Sequence, residues 1–391
     1  MKEKSPCPIK LIFPKDNSSV LLVDKVVKDY IDAYYRNALR IDNDYGFNGF
    51  NWGFNDAVKV EEFYKLTTNN YPGRPVHFKF EIKNKSKLLI SKDKNFKYIA
   101  INKIINKDEI DIYNLEKRTT YFWKIVDLFT KETSETHSFT TDSYPRLMTF
   151  GKLINVRDFG GKIVKDGGII KQGLLFRGAE VVAEKYVVTR ELGLNQQTQT
   201  HQKSITKKDA KELSKFLKNG VDLDLREDYE SNFQVHSDIP NAKYIRLTGS
   251  SYDYLIDYLN ENLKNNIKNT FALFANADKS PIYCHCWGGA DRTGTICFLL
   301  GGLLGMSYTD LVIDYELTTF AGNERVHYRK NPIYEWEHFI EMVTSLENYR
   351  DKNLLENDIS AIIEHFLINR CYISKNTIET IKKVFIEKIS Q

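Results

Sequence analysis

The segment from Cys284 to Gly294, CHCWGGADRTG, constrains the fold of this chain more than any other part of the sequence. An apolar run with strand character, PIYCH at 281–285, leads into it, and an apolar run with helical character, TICFLL at 295–300, follows it. A strand, a glycine-bearing loop and a helix N-terminus bring successive backbone N–H groups and the positive end of a helix dipole to one point. The segment therefore predicts an anion-binding loop at the carboxyl end of a strand, where α/β sheets carry their sites.

Two side chains give this loop its chemistry. Cys286 lies at the lip of the loop, where a thiolate is favoured over a thiol. Arg292, six positions later, offers a planar fork that matches two phosphate oxygens. The alternative is a structural cysteine that has an arginine nearby by chance, but the paired glycines, the preceding His285 and the following Thr293 and Gly294 favour catalysis. The combination predicts nucleophilic attack of a thiolate on phosphorus.

Length and composition limit the classes of protein that this chain can belong to. A chain of 391 residues suggests two domains, and a formal net charge of +4 does not favour binding to nucleic acid or to membranes. The apolar run at 296–306 is too short for a membrane span and predicts a buried helix. The N-terminal sequence MKEKSP lacks the apolar core of a signal peptide, so we expect a cytoplasmic protein, or a secreted or cell-surface one whose leader has been removed.

The five cysteines do not predict a disulfide framework, because their number is odd and three of them crowd around the loop. Inert packing is the favoured interpretation of Cys284 and Cys297, with a protective disulfide from either residue to Cys286 as the alternative. The histidines, cysteines and carboxylates show no metal-ligand spacing, so we expect neither a metal nor another cofactor.

Residues 74–141 predict strand after strand, separated by polar residues. Three segments alternate apolar and polar residues with the period of a half-buried strand: Val76–Ile82, Tyr98–Ile104 and Tyr121–Val126. Several short strands at roughly ten-residue spacing indicate an all-β sandwich. The segments at 118–125 and 137–141 resemble the last two strands of a fibronectin type III or related immunoglobulin-like module, and Lys10–Pro14 would supply its first strand.

Residues 20–39 have apolar side chains at helical spacing, which predicts a helix inserted into this first domain. We therefore expect the sandwich and its inserted helix to occupy residues 1–142. The sequence does not identify a partner for this domain.

After a linker at 142–148, strands alternate with helical segments, which predicts an α/β domain with a central sheet flanked by helices over residues 143–391. Thr206 and Asp209 stand at capping-box spacing at the start of one such helix, 205–219, and a strand follows at 221–225. Further helices are predicted at 252–274, 309–320, 333–346, 359–367 and 375–386. Residues 187–201, rich in Gln and Thr, are expected to form an inserted surface loop, with a lid over the site as the alternative.

Four ordered motifs in this domain point to a family: NVRDFGG at 155–161, GLLFRGA at 173–179, DLR at 224–226 and HCWGGADRTG at 285–294. Together they resemble the motifs of the bacterial cysteine-dependent tyrosine phosphatases related to dual-specificity phosphatases. The resemblance covers roughly residues 145–390. It implies hydrolysis of a phosphorylated protein or a small phosphate monoester through a phosphocysteine intermediate.

The resemblance and the side-chain chemistry together suggest a role for each site residue. Cys286 is the expected nucleophile, Arg292 binds the phosphoryl oxygens, and Thr293 donates its hydroxyl to the Cys286 sulfur. The other expected phosphate-binding positions in the loop are Trp287, Gly288, Gly289, Ala290 and Asp291. The residues expected to brace the loop by hydrogen bonds are His285, Asn155, Arg157, Asp158 and Arg226.

The general acid has two candidate positions. In relatives that share the Asp-Arg pair, the loop aspartate is thought to protonate the leaving oxygen, which favours Asp291. A separate acid on an upstream segment is the alternative, with Asp253 and Asp257 as the candidates.

The loop also bears on the substrate. The family often has Lys immediately before the loop Asp, where this chain has Ala290, and relatives acting on phosphoinositides tend to carry loop lysines. The resemblance therefore favours a monophosphate ester with an aromatic leaving group, phosphotyrosine above all, over a phosphoinositide or inositol phosphate. A phosphoprotein-binding adhesion or scaffold protein is a further alternative. It is disfavoured because both Cys286 and Arg292 are present.

Overall fold

The computed structural model describes residues 9–38, 70–192, 195–250, 255, 259–321 and 335–388. The chain divides into two compact units, one formed by Met1–Asp24 and Gly73–Met148 and the other by Lys25–Pro72 and Thr149–Gln391. The helix at Lys25–Ala38, within the segment predicted as an insertion, groups with the second unit, while residues 20–24 group with the first. The domain bounds 1–142 and 143–391 stay predictions.

The first unit is rich in β-structure. Its strands are β1 (Lys10–Phe13), β2 (Ser18–Val20), β3 (Val76–Glu81), β4 (Ser86–Ser91), β5 (Ile99–Ile105), β6 (Glu109–Ile112), β7 (Thr120–Asp127) and β8 (His137–Thr141). They form a three-stranded sheet in the order β1-β3-β6 and a five-stranded sheet in the order β2-β8-β7-β4-β5. The strands expected from alternation are thus present, while the resemblance to a fibronectin type III module stays a prediction.

One hydrophobic cluster in this unit draws side chains from both sheets. Phe78 on β3 meets the ring of Trp123 on β7 edge-on at 5.0 Å and the ring of Phe139 on β8 at 5.7 Å. Along β7, buried residues alternate with more exposed ones, as a strand with one buried face requires. The period-2 pattern of the sequence therefore corresponds to the side chains that fill this core.

The second unit contains all the described helices and the remaining strands. Its strands are β9 (Arg157–Asp158), β10 (Gly168–Ile170), β11 (Leu175–Gly178), β12 (Tyr186–Leu192), β13 (Asn195–His201), β14 (Val221–Asp224), β15 (Lys243–Arg246), β16 (Ile282–His285) and β17 (Ile386–Lys388). Its helices are α1 (Lys25–Ala38), α2 (Lys207–Leu217), α3 (Glu261–Phe274), α4 (Asp291–Leu303), α5 (Tyr308–Glu316), α6 (Glu335–Lys352), α7 (Ile359–Asn369) and α8 (Lys375–Phe385).

A five-stranded sheet in the order β15-β14-β16-β11-β9 forms the centre of this unit. The first four strands of that order are parallel, and β9 is antiparallel to β11. In the middle, His285 at the end of β16 is level with Asp224 on β14 and with Gly178 on β11. Three strands therefore end side by side, which is the geometry that gathers a site at the carboxyl edge of a parallel sheet.

Helix α4 follows the central strand through the loop at 286–290. All its residues from Thr293 to Leu303 are buried, and it packs against α5 and α7. A helix that is apolar on every side belongs inside a domain, so the burial of α4 fits its sequence. Its N-terminus is consequently fixed relative to the sheet.

Three further segments differ from or refine the expectations. Residues 187–201 are not an irregular loop, because β12 and β13 form an antiparallel hairpin in which Tyr186 pairs with His201. The helix expected at 252–274 begins only at Glu261, with Asn260 as its N-cap. The capping box of Thr206 and Asp209 is confirmed at the start of α2. In the parts of the chain that the structure describes, no helix is both long and apolar enough to cross a membrane.

Candidate functional site

Cys286 is the first residue after β16 and begins the loop, and it is buried, only 2% exposed. Helix α4 begins at Asp291, so Asp291 and Arg292 occupy its first turn. Ala290 is the N-cap and provides no side-chain cap. The first N–H groups of a helix have no partner within the helix, so this terminus presents donors and a positive dipole end to the loop.

The carbonyl groups of the loop are hydrogen-bonded by residues outside it. The side-chain amide of Asn155 donates to Gly288 O at 3.0 Å, and Arg177 Nη2 donates to Gly289 O at 2.7 Å. The backbone N–H of Glu180 donates to Trp287 O at 2.9 Å. Three consecutive carbonyls of the loop are thus held by groups on the β9 and β11 side of the site.

This anchoring decides where the amide groups of the loop point. In a planar trans peptide, the N–H points opposite to the carbonyl of the preceding residue. Fixing the three carbonyls therefore turns the N–H groups of Gly288, Gly289 and Ala290 away from the anchoring residues. Successive N–H groups turned the same way form an anion-binding concavity.

Gly289 is required by this geometry. Its φ is +67°, and a Cβ at this position would lie 2.2 Å from Gly178 O. The left-handed conformation and the close approach of β11 together leave no room for a side chain.

Asn155, Arg157 and Arg177 belong to a buried charged cluster beneath the loop. Arg157 Nε contacts Asp314 Oδ1 at 2.9 Å, and Arg177 Nη1 bonds the other oxygen of the same carboxylate. Burial of Asp314 opposes its ionisation, but Arg157, Arg177 and Lys162 outweigh it and lower the pKa of the carboxyl well below its usual range. Asp314 on α5 is thus the common anchor for the two arginines, and the sequence analysis did not single it out.

Asp158 holds the chain around the site rather than the loop itself. Its carboxylate accepts the N–H of Gly160 at 2.8 Å and the N–H of Gly173 at 2.8 Å. This joins the turn after β9 to the turn before β11. Asp158 therefore supports the segments next to the loop at 286–290 and does not bond the loop itself.

His285 is fully buried among acidic groups. Its Nδ1 contacts Cys286 O at 3.1 Å, and its Nε2 is 3.1 Å from Asp222 Oδ1. The two ring nitrogens therefore lie next to a carbonyl oxygen and a carboxylate oxygen, both of which can accept hydrogen bonds. Burial favours the neutral ring, but the charges of Asp224 and Asp222 outweigh it and raise the pKa of His285 to about 9. The result is a fixed cation directly behind Cys286.

Arg226, at the end of the DLR motif, belongs to a second buried cluster of charged residues. Its Nε lies 3.0 Å from both oxygens of Asp224, and its Nη1 bonds the carboxylate of Glu180. Burial opposes ionisation of Asp224, but the charge of His285 and the bonds from Arg226 outweigh it and lower the pKa of that carboxyl well below its usual range. Asp222 and Asp224 are two residues apart on one strand, so their side chains share a face of the sheet. This spacing could have indicated from the sequence that a buried cation lies opposite them.

Arg292 pairs with Glu230, a residue that the sequence analysis missed. Its Nη2 donates to Glu230 Oε1 at 3.1 Å, and its Nη1 bonds the other carboxylate oxygen. Burial of Glu230 opposes ionisation, but the hydrogen bonds and charge of Arg292 outweigh it and lower the pKa of the carboxyl. This end-on pairing does not use the Nε–H and the second N–H of Nη2, which form the side-on fork of the guanidinium.

One expectation about the loop, the bond from Thr293, turns out differently, and one alternative, the disulfide, is not formed. The Thr293 hydroxyl is buried and makes no hydrogen bond to the described residues, so the expected bond to the Cys286 sulfur is not formed here. Cys284, Cys286 and Cys297 are free thiols, and the alternative of a disulfide among them is not realised in this structure.

Asp253 and Asp257, the alternative acids, lie outside the described residues. Asp291 lies at the start of α4, beside Arg292, whose charge interacts with it.

Comparison with known proteins identifies one family. A sequence model of the tyrosine phosphatase family matches residues 148–387, which is more than half of the chain. A search of curated proteins gave no significant match. Within the described residues, no group of three histidines, cysteines or carboxylates is arranged to hold a metal ion.

Proposed function

Because the chain belongs to the tyrosine phosphatase family, we propose that it hydrolyses phosphate monoesters, phosphotyrosine in proteins above all, through a phosphocysteine intermediate on Cys286. The observation that carries this proposal is the anchoring of the loop carbonyls, with Asn155 on Gly288 O and Arg177 on Gly289 O. In the proposed complex, the amide groups turned away from these anchors bind the phosphoryl oxygens. Such preorganised donors stabilise charge that develops on a transferring phosphoryl group.

In the first step the Cys286 thiolate attacks phosphorus. A P–S bond forms while the P–O bond to the leaving alcohol breaks, and the leaving oxygen takes a proton from the general acid. In the second step water attacks the phosphocysteine and gives its proton to the same carboxylate. Inorganic phosphate leaves and the thiolate is restored, so atoms and charges balance over the cycle.

Arg292 acts on the charge of these steps, and His285 acts on the position of the nucleophile. The side-on fork of Arg292 binds two equatorial oxygens, and its geometry fits best when the phosphoryl group is planar in the transition state. His285, whose Nδ1 contacts Cys286 O, is proposed to hold the backbone of the nucleophile in place.

Asp291 is the proposed general acid. It occupies the first turn of α4 beside Arg292, within the loop that binds the phosphate. A carboxyl there is close to the leaving oxygen of any ester whose phosphoryl group occupies the loop. The alternative acids are Asp253 and Asp257 on the segment before α3.

The remaining supporting residues are proposed to hold geometry and not to touch substrate. Asn155, Arg157 and Arg226 are buried, and each is hydrogen-bonded to other protein groups. An inositol polyphosphate would need further cations for its additional phosphates, and the loop offers Trp287 and Ala290 where such residues would stand. This supports a monophosphate ester as the substrate class.

The nucleophile is tested with Cys286→Ser, assayed with a phosphotyrosine peptide. We expect hydrolysis to be abolished, because serine is not deprotonated in this site, while affinity for inorganic phosphate persists through the amide groups and Arg292. A binding-only scaffold protein would show no turnover even in the wild type. Substantial hydrolysis by the serine variant would refute the assignment.

The acid is tested with Asp291→Asn on two esters. An acid matters most when the leaving group is poor, so the variant should lose much more rate on the phosphotyrosine peptide than on an activated nitrophenyl ester. Asp253→Asn and Asp257→Asn are the matched controls and should show no such dependence. If one of the controls shows it and Asp291→Asn slows both esters equally, the acid comes from the upstream segment.

A further inference from the structure

Three aromatic rings lie in a row beside the phosphate-binding loop. The rings of Tyr186 and His201, cross-strand partners at the base of the β12–β13 hairpin, are stacked at 4.4 Å with an angle of 5°. The ring of His201 is in turn 5.4 Å from the ring of Trp287, at an angle of 38°. Trp287 directly follows Cys286, so this row, the aromatic ladder of Tyr186, His201 and Trp287, ends next to the nucleophile.

One acidic residue ties the ladder to the loop at several points. The carboxylate of Glu180 contacts Nδ1 of His201 at 2.7 and 2.8 Å and accepts a bond from Arg226. The backbone N–H of the same residue donates to Trp287 O at 2.9 Å. Arg226 also bonds the hydroxyl of Tyr186. The orientation of the His201 and Tyr186 rings is therefore set by hydrogen bonds as well as by stacking, and the backbone of Trp287 is held by the same residue, Glu180.

Exposure changes along the ladder. The side chain of His201 is fully buried, whereas Trp287 is 38% exposed. An indole next to a phosphate-binding loop has little to offer the charged phosphoryl group itself. It offers an apolar, polarisable ring surface to whatever is esterified to the phosphate.

We propose that Trp287 determines specificity by receiving the aromatic ring of an aryl phosphate as the next ring of the ladder. This inference rests on the proposed phosphatase activity and assigns the leaving-group side of the same site. Aromatic pairs are stable with ring centroids about 4.5–7 Å apart, and such a pair increases affinity by roughly 2- to 12-fold beyond area burial. His201 and Tyr186 are positioning residues, because they hold the indole at the edge of the site.

The test uses non-hydrolysable probes, so that the leaving group plays no part. Inhibition constants for phenylphosphonate and methylphosphonate are compared in each variant, and their ratio cancels any damage to the loop itself. The wild type should prefer phenylphosphonate, and Trp287→Leu should lower that preference about 3- to 10-fold. Trp287→Phe should retain most of it. An unchanged ratio in Trp287→Leu overturns the proposal.

Two further variants separate positioning from contact. His201→Leu removes the ring behind the indole and should lower the preference partly, whereas His201→Phe restores a ring and should recover it. Tyr372→Leu is the matched control, since this tyrosine is 57% exposed on the same unit but far along the chain from the loop. The ratio of the two inhibition constants in Tyr372→Leu should equal that of the wild type.

Fluorescence gives an independent readout. Phenylphosphonate binding should change the tryptophan emission of the wild type, and that change should vanish in Trp287→Phe. Absence of any change in the wild type counts against the contact. Failure of the proposed function looks different: no ester would be hydrolysed, although the phosphonate ratio could still depend on Trp287.

Discussion

Replacing His285 with glutamine removes the buried cation behind the nucleophile. The wild-type ring is surrounded by Asp222 and Asp224, which raise its pKa from the usual 6.5 to about 9. Because the folded pKa is the higher one, the stabilisation is complete below pH 6.5 and is lost as the pH rises through about 9. The difference between the two pKa values corresponds to about 3 kcal/mol in the free energy of unfolding.

Urea unfolding at pH 6, 7.5 and 9.5 measures this contribution. All the described helices lie in the second unit, so ellipticity at 222 nm reports the unit that holds the site. The stability of the wild type relative to His285→Gln should fall by about 3 kcal/mol across this range, because glutamine cannot titrate. Asp222→Asn should move this loss of stability to lower pH, because it removes one of the two carboxylate charges that raise the pKa of His285. Parallel pH profiles for the wild type and His285→Gln would refute the reasoning.

Three other perturbations follow from the contacts of the site. Asn155→Ala loses the hydrogen bond to the loop carbonyl, so it should lower the free energy of unfolding in urea by about 2–3 kcal/mol and remove most activity. Asn155→Gly should lose similar activity but less stability, because φ at this position is +59° and glycine adopts such a φ readily. Glu230→Gln should lower kcat/KM at least about tenfold, because it loosens Arg292. Asp228→Asn, which removes a partly exposed ion pair with Arg246, should change kcat/KM little. Equal effects of the two variants would contradict this prediction. Turnover should persist after dialysis against EDTA, since Arg292 and amide groups provide the charge stabilisation; activity that depends on an added divalent ion would contradict it.

Much of the fold follows from local patterns in the sequence. Alternation located β3, β5 and β7, and the capping box of Thr206 and Asp209 fixed the start of α2. The β12–β13 hairpin was missed because a stretch rich in Gln and Thr carries no apolar alternation to mark it as strand. Helix α1 was recognised as a helix, but its unit is decided by contacts with distant residues such as those of α5, which no local pattern contains.

The candidate site divides in the same way. The loop residues and the short motifs around them are contiguous in sequence, so their chemistry was visible from spacing alone. Their partners are supplied one at a time by other elements, and a single acidic residue in an ordinary helix or loop has no signature. Asp314 on α5 and Glu230 after β14 are of this kind. Residues that complete the charge balance of a site are therefore harder to predict than residues that perform its chemistry.

The charge balance gives those partners a function in the proposed reaction. Among the described residues, buried cationic side chains around the loop are paired with carboxylates: Arg157 and Arg177 with Asp314, Arg226 with Asp224, and His285 with Asp222. A buried charge without a partner costs several kcal/mol, so these cations persist only because the carboxylates oppose them. Arg292 is likewise paired with a carboxylate, Glu230, but through the two Nη atoms, so the pair does not use the side-on fork of the guanidinium. In the proposed reaction the buried pairs hold the loop in shape, and the side-on fork of Arg292 and the amide groups bind the phosphate.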